Sequence, residues 1–121
     1  MARILVIDDE DLLRETIREM LEAAGYEVSE ECDGAAGVRA FAEAGADVVL
    51  TDIIMPKKDG IRTIWEIKQM RPDAKIIAMS GGVPGGSRSD LPLAETYGAQ
   101  RSLQKPFTRA ELLGAVAALV G

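Results

Sequence analysis

Short runs of consecutive apolar residues alternate along the chain with stretches where apolar residues recur every three or four positions. The runs predict strands at 3–7, 27–32, 47–51, 75–79 and 100–104. The first, third and fourth are almost wholly apolar, as expected of central parallel strands covered on both faces. The second and fifth mix polar with apolar residues, which suits the sheet edges. Leu13, Ile17, Met20, Leu21 and Ala24 keep helical spacing, and Gly25 stands where a C-terminal cap belongs. A second, alanine-rich helix is predicted over 34–44. A third carries Ile61, Ile64, Trp65 and Lys68 and stops at Arg71-Pro72, with Trp65 expected in the core and Asp59-Gly60 as the turn entering it. The last opens at Thr108, where Glu111 completes a capping box, and runs on through Leu112, Leu113, Val116, Leu119 and Val120. Alternating strands and helices imply a parallel sheet with right-handed crossovers. Segment 81–92 is too rich in Gly and Pro for a helix interior, so a helix there starts only late, between Leu91 and Tyr97. No internal repeat or second domain is evident, and residues 1–121 are expected to form one domain.

Composition narrows the chemistry. The 121 residues are 47% apolar and 28% charged, ordinary for a globular domain. A net charge of −6 argues against binding nucleic acid through bulk charge. With no histidine, Ser-His and Cys-His catalysis and His-ligated metals are excluded. The lone Cys32 can close no intrachain disulfide. The N-terminal apolar run, Ile4 to Ile7, ends at Asp8-Asp9-Glu10. A signal peptide needs roughly 7–15 apolar residues and a membrane helix about 20, so a cytoplasmic location without membrane association is expected.

Sites in open α/β sheets lie outside the carboxyl ends of the strands. There the sequence places Asp8 and Asp9, Asp52, Ser80 and Lys105. Singly, each has a plainer reading: a helix cap for Asp8, Asp9 or Ser80, a turn residue for Asp52, a solvated charge for Lys105. Together they do not. Two carboxylates about 4 Å apart repel by roughly 4 kcal/mol at an effective dielectric near 20, so such a group retains a proton or holds a cation. Oxygen-only ligands suit Mg²⁺, which completes its shell with phosphate oxygens. Ser80 and Lys105 would then meet a phosphoryl group.

The motifs Ile7-Asp8-Asp9-Glu10, Thr51-Asp52-Ile53-Ile54-Met55-Pro56-Lys57-Lys58-Asp59-Gly60, Met79-Ser80-Gly81 and Lys105-Pro106-Phe107 occur in that order. In this the chain resembles the receiver domains of bacterial two-component response regulators, of the single-domain type. The resemblance implies a doubly wound, flavodoxin-like α/β fold: a five-stranded parallel sheet of order 2-1-3-4-5 with five helices on its two faces. It implies that Asp52 accepts a phosphoryl group from a histidine kinase or phosphotransfer protein. Asp9, Asp52 and the Ile54 carbonyl would hold Mg²⁺ directly and Asp8 through water. Ser80 would be the switch hydroxyl, Lys105 the partner of the phosphoryl group, and Lys105–Pro106 a cis bond. Such a protein is no enzyme beyond its own phosphorylation and dephosphorylation; it signals through protein contacts, as a monomer or weak dimer, without touching nucleic acid.

Three features depart from the family pattern. Ser102 stands where an aromatic residue is usual on the fifth strand, leaving Tyr97 as a possible substitute in the relay. The loop after Ser80 is long and glycine-rich and is expected to order on phosphorylation. Ile54 and Gly82 offer no group to orient a water, so dephosphorylation should be slow. Two other functions compete. One is a small haloacid-dehalogenase-type phosphatase using Asp9, against which Leu13 and the short chain stand. The other is a receiver-shaped scaffold that is never phosphorylated, disfavoured because the site residues are present.

Overall fold

The computed structural model describes residues 2–53, 60–81 and 95–120. Strands β1 (Arg3–Ile7), β2 (Glu27–Glu31), β3 (Val48–Asp52), β4 (Ile76–Gly81) and β5 (Arg101–Lys105) form one parallel sheet of order 2-1-3-4-5. Around it lie α1 (Asp11–Ala23), α2 (Gly34–Ala44), α3 (Gly60–Met70) and α5 (Arg109–Val120), with residues 95–97 helical and labelled α4. The expected topology is thus observed. The third to fifth strands run one or two residues further than their apolar runs, because Asp52 still pairs with Met79 and Lys105 with Gly81. Three of the candidate site residues, Asp52, Ser80 and Lys105, therefore belong to the strands themselves. The predicted late helix before β5 and the glycine-rich loop, Gly82 included, fall largely within 82–94, outside the described residues, and Ile54 lies outside them too, within 54–59.

Two cores follow from the strand period of two. On one face Leu5, Ile7, Val49, Ile76 and Ala78 pack with Phe41 of α2 and Ile64 and Ile67 of α3. On the other, Ile4, Val6, Val48, Leu50, Ile77, Met79 and Leu103 pack with Ile17 and Leu21 of α1 and Leu112 and Val116 of α5. All five β3 residues are buried, whereas the edge strands β2 and β5 are largely exposed or half-buried, as their mixed sequences predict.

Helix ends behave as their sequences require. Asp33 caps α2 by accepting from the Ala36 amide at 2.8 Å. Thr108 and Glu111 exchange hydrogen bonds at 2.8 and 3.0 Å before α5, completing the predicted box. Gly25 takes φ +96° after α1, the left-handed conformation that ends a helix cheaply only at glycine. Trp65 corrects an expectation: it is 46% exposed. The buried stripe of α3 is Gly60, Thr63, Ile64 and Ile67, and one further residue turns Trp65 about 100° away from it. Among the described residues no helix is long and apolar enough to cross a membrane.

Candidate functional site

The winding of the sheet reverses between β1 and β3, and the ends of these two strands carry Asp8 and Asp52. Asp8 is wholly buried, Asp52 nearly so, and Ser80 on the neighbouring β4 is buried as well. Lys105, at the end of β5, reaches across the sheet edge. Its ammonium donates to Asp8 Oδ2 at 2.9 Å, to Asp52 Oδ2 at 3.3 Å and to Glu10 Oε1 at 3.5 Å. Three acceptors match the three N–H groups of an ammonium. Burial alone would pull the Lys105 pKa down, but the Asp8 hydrogen bond and the charges of Asp52 and Asp8 outweigh it and hold it above the usual lysine value.

The turn after β1 shapes the acidic side of this pocket. The other Asp8 oxygen, Oδ1, accepts from the Glu10 amide at 2.9 Å, which folds the chain over the buried carboxylate before α1 begins. Glu10, not Asp8 or Asp9, is the N-cap residue of α1, and its side chain makes no capping bond. The plain reading of the aspartates as helix caps is therefore not what the geometry supports. Asp8, Glu10 and Asp52 each bring a carboxylate oxygen within 4.8 Å of the others. Asp9 is exposed and stands outside that group. Glu10 is the site residue that sequence reasoning passed over.

This donor set has a definite chemistry. Among the described residues three carboxylates surround one ammonium, and every donor of the acidic group is a hard oxygen. Such a group fits a small divalent cation, Mg²⁺ in particular. Lys105 holds the same carboxylates that such a cation would need, so ammonium and metal compete for them.

Gly60 explains how β3 delivers Asp52 to the edge. Its amide donates to the Ile53 carbonyl at 2.6 Å, and a methyl group there would overlap the Asp52 carbonyl oxygen and Ile53 Cα. The start of α3 thus rests directly on the main chain that carries Asp52. The Lys105–Pro106 bond is cis, as the resemblance implies. Ser102, in the place of the usual aromatic, donates to Glu95 Oε2 at 2.9 Å and ties β5 to α4, while Tyr97 is 43% exposed.

Comparison with known proteins agrees with this geometry. The family model for the response regulator receiver domain matches residues 4–117. The chemotaxis protein CheY of Bacillus subtilis (strain 168) is 37% identical over 115 residues, covering 94% of this chain and 93% of that protein. A response regulator receiver domain protein from Clostridium thermocellum superposes with a TM-score of 0.92 at 36% identity, covering 99% of this chain and 94% of its own. The response regulator TrrA of Thermotoga maritima, solved in complex with Mg²⁺-BeF, superposes with a TM-score of 0.87 at 34% identity, covering 98% and 99% of the two chains.

Proposed function

The chain belongs to the response-regulator receiver family, a family of signalling domains, and from that premise we propose that Asp52 is the residue phosphorylated, with Mg²⁺ as cofactor. The observation that carries the reading is the convergence of Lys105 on Asp52 and the Asp8–Glu10 turn at a buried sheet edge. Asp52, Asp9 and the Ile54 carbonyl are the proposed direct ligands, Asp8 acts through water, and Glu10 adds a carboxylate at the mouth. An ion held by these groups would supply positive charge against the incoming phosphoryl group.

An Asp52 oxygen attacks phosphorus in line with the phosphohistidine of a kinase or phosphotransfer protein. The new O–P bond forms as the P–N bond breaks, and the electron pair leaves with the imidazole nitrogen. Lys105, released from the Asp52 carboxylate, pairs with a phosphoryl oxygen, and the Ser80 hydroxyl donates to another. Neither Ile54 nor Gly82 carries a group that could orient an attacking water, so the acyl phosphate should hydrolyse slowly. The partner docks over the groove beside the site, lined by Leu13, Met20 and Phe107. Output is a phosphorylation-dependent protein contact made in the cytoplasm by a monomer or weak dimer. With Ser102 bonded to Glu95, that output runs through the β5–α4 hydrogen bond and not through a rotating aromatic ring.

The phosphatase reading, with Asp9 as nucleophile, has little to favour it: Asp9 is exposed, and the Lys105 ammonium lies on Asp8, Asp52 and Glu10 instead. Incubation with acetyl phosphate and Mg²⁺, followed by intact-mass measurement, tests the proposal. The wild type should gain one phosphoryl group and Asp52→Asn none; an adduct retained in Asp52→Asn would overturn the assignment.

Mg²⁺ titration distinguishes the two acidic neighbours. Asp9→Asn is expected to weaken binding about tenfold or more and Glu10→Gln about threefold, a difference near 0.7 kcal/mol. The reverse order would make Glu10 the direct ligand.

A further inference from the structure

We propose that Arg14 is a positioning residue for the acidic turn: its guanidinium clamps the main chain at Asp8 and so sets where the turn's carboxylates stand. The inference rests on the reading of this edge as a Mg²⁺-dependent phosphoryl site.

Arg14 lies one turn into α1, and all three of its side-chain nitrogens are engaged. Nη1 donates to the Asp8 carbonyl at 2.7 Å, Nη2 to Asp11 Oδ1 at 2.8 Å and Nε to Glu30 Oε1 at 3.2 Å. The side chain is only 16% exposed. Glu30, on the edge strand β2, is held from its other oxygen by Arg18 Nη1 at 2.8 Å. A chain of charge-assisted bonds therefore runs from Arg18 through Glu30 and Arg14 to the main chain of the acidic turn. The same turn is tied at the Asp8 amide, which donates to the Glu31 carbonyl at 3.1 Å, and at the Glu10 carbonyl, which accepts from the Arg14 amide at 2.9 Å.

The site needs such a clamp. Asp8, Glu10 and Asp52 carry like charge, and Glu10 is 63% exposed, so repulsion favours swinging the turn outward into water. A cation bound to a turn already held inward avoids that reorganisation. The fork also demands arginine. Its rigid guanidinium can serve acceptors on the turn after β1, on α1 and on β2 at once, whereas a lysine ammonium is a point charge on a flexible stem. Partners that orient metal ligands from behind typically contribute 10–100-fold in affinity.

Calorimetric Mg²⁺ titration and amide hydrogen exchange of the metal-free full chain test the clamp. Arg14→Ala is expected to lose about tenfold in Mg²⁺ affinity and to speed exchange of the Glu10 amide. Added guanidinium ion at low concentration should restore part of that affinity and leave the wild type unchanged. Arg14→Lys should fall between the two, and it carries the test if Arg14→Ala does not fold. Wild-type affinity and wild-type Glu10 exchange in both variants, with only the melting temperature lowered, would overturn the inference and leave Arg14 a tie between α1 and β2. Should the wild type itself neither bind Mg²⁺ nor take up phosphate, the reading of the site falls. The Glu10 exchange rate of Arg14→Ala then decides the clamp alone: faster exchange upholds it and unchanged exchange rejects it.

Discussion

Replacing Lys105 by methionine is expected to destabilise the metal-free protein by roughly 3 kcal/mol at neutral pH, the lower end of what stranding a buried charge costs. The methionine fills the same volume, so the loss is electrostatic and not a cavity. Asp8 is wholly buried and the Asp52 side chain is only 6% exposed, and the substitution takes from both the ammonium that lies 2.9 and 3.3 Å from them. Glu10 opens the mouth of the pocket to solvent ions, which keeps the cost from being larger. Added Mg²⁺ should recover most of the loss by taking the place of the missing ammonium. Urea denaturation at pH 7, with and without Mg²⁺, reads both effects; equal stability of the two proteins without metal would refute the expectation.

The wild type carries the complementary pH signature. The Lys105 pKa is raised in the folded state, burial being outweighed by Asp8 and Asp52. Its contribution to stability is therefore complete below the unfolded lysine value and is lost as pH rises through the still higher folded one. Lys105→Met lacks that alkaline loss. The same competition makes Mg²⁺ binding tighter in Lys105→Met than in the wild type, because the ion no longer displaces an ammonium from its ligands.

Much of this arrangement was legible in the residues. Ile4 to Ile7, Val48 to Leu50 and Ile76 to Met79 read as central strands because both faces of a doubly wound sheet are covered. The mixed sequences of β2 and β5 read as edges for the converse reason. The strand ends place Asp8, Asp9, Asp52, Ser80 and Lys105 on one edge from the sequence alone, and of the acids among them Asp9 stands exposed, outside the carboxylate group. Glu10 escaped because three acids in a row give no contrast in composition. The contrast was in period: along an extended chain positions i and i+2 share a side, so Asp8 and Glu10 go together and Asp9 does not. Glu10 indeed has extended dihedrals, φ −86° and ψ 103°. Trp65 escaped through helical phase: its size suggests the core, but Ile64 and Ile67 fix the buried stripe and leave it on the flank. The Arg14 fork lay beyond reach of the sequence, because it joins α1 to a glutamate 16 positions away on another strand.

Gly60→Ala should be the most damaging single methyl group at this edge. In an ordinary core position an added methyl displaces neighbouring side chains and costs about 1–3 kcal/mol. Here the atoms it meets are the Asp52 carbonyl oxygen and Ile53 Cα, main-chain atoms with no rotamer to change. Either the end of β3 shifts or the first turn of α3 moves off it and gives up the bond from the Gly60 amide to the Ile53 carbonyl. A loss of about 3 kcal/mol, the top of that range, is expected. The functional effect should be larger still, because Asp52 moves relative to Lys105 and the acidic turn, and a displacement near 1 Å in an in-line transfer costs about 100-fold. Gly114→Ala on α5 is the matched control. A methyl there meets open space, and the higher helix propensity of alanine should stabilise the fold by about 1 kcal/mol while leaving phosphorylation unchanged. Urea denaturation paired with the initial rate of phosphoryl uptake from acetyl phosphate separates the two effects. If Gly60→Ala unfolds and phosphorylates like the wild type, the contact between α3 and the Asp52 main chain is not what holds the acceptor in place.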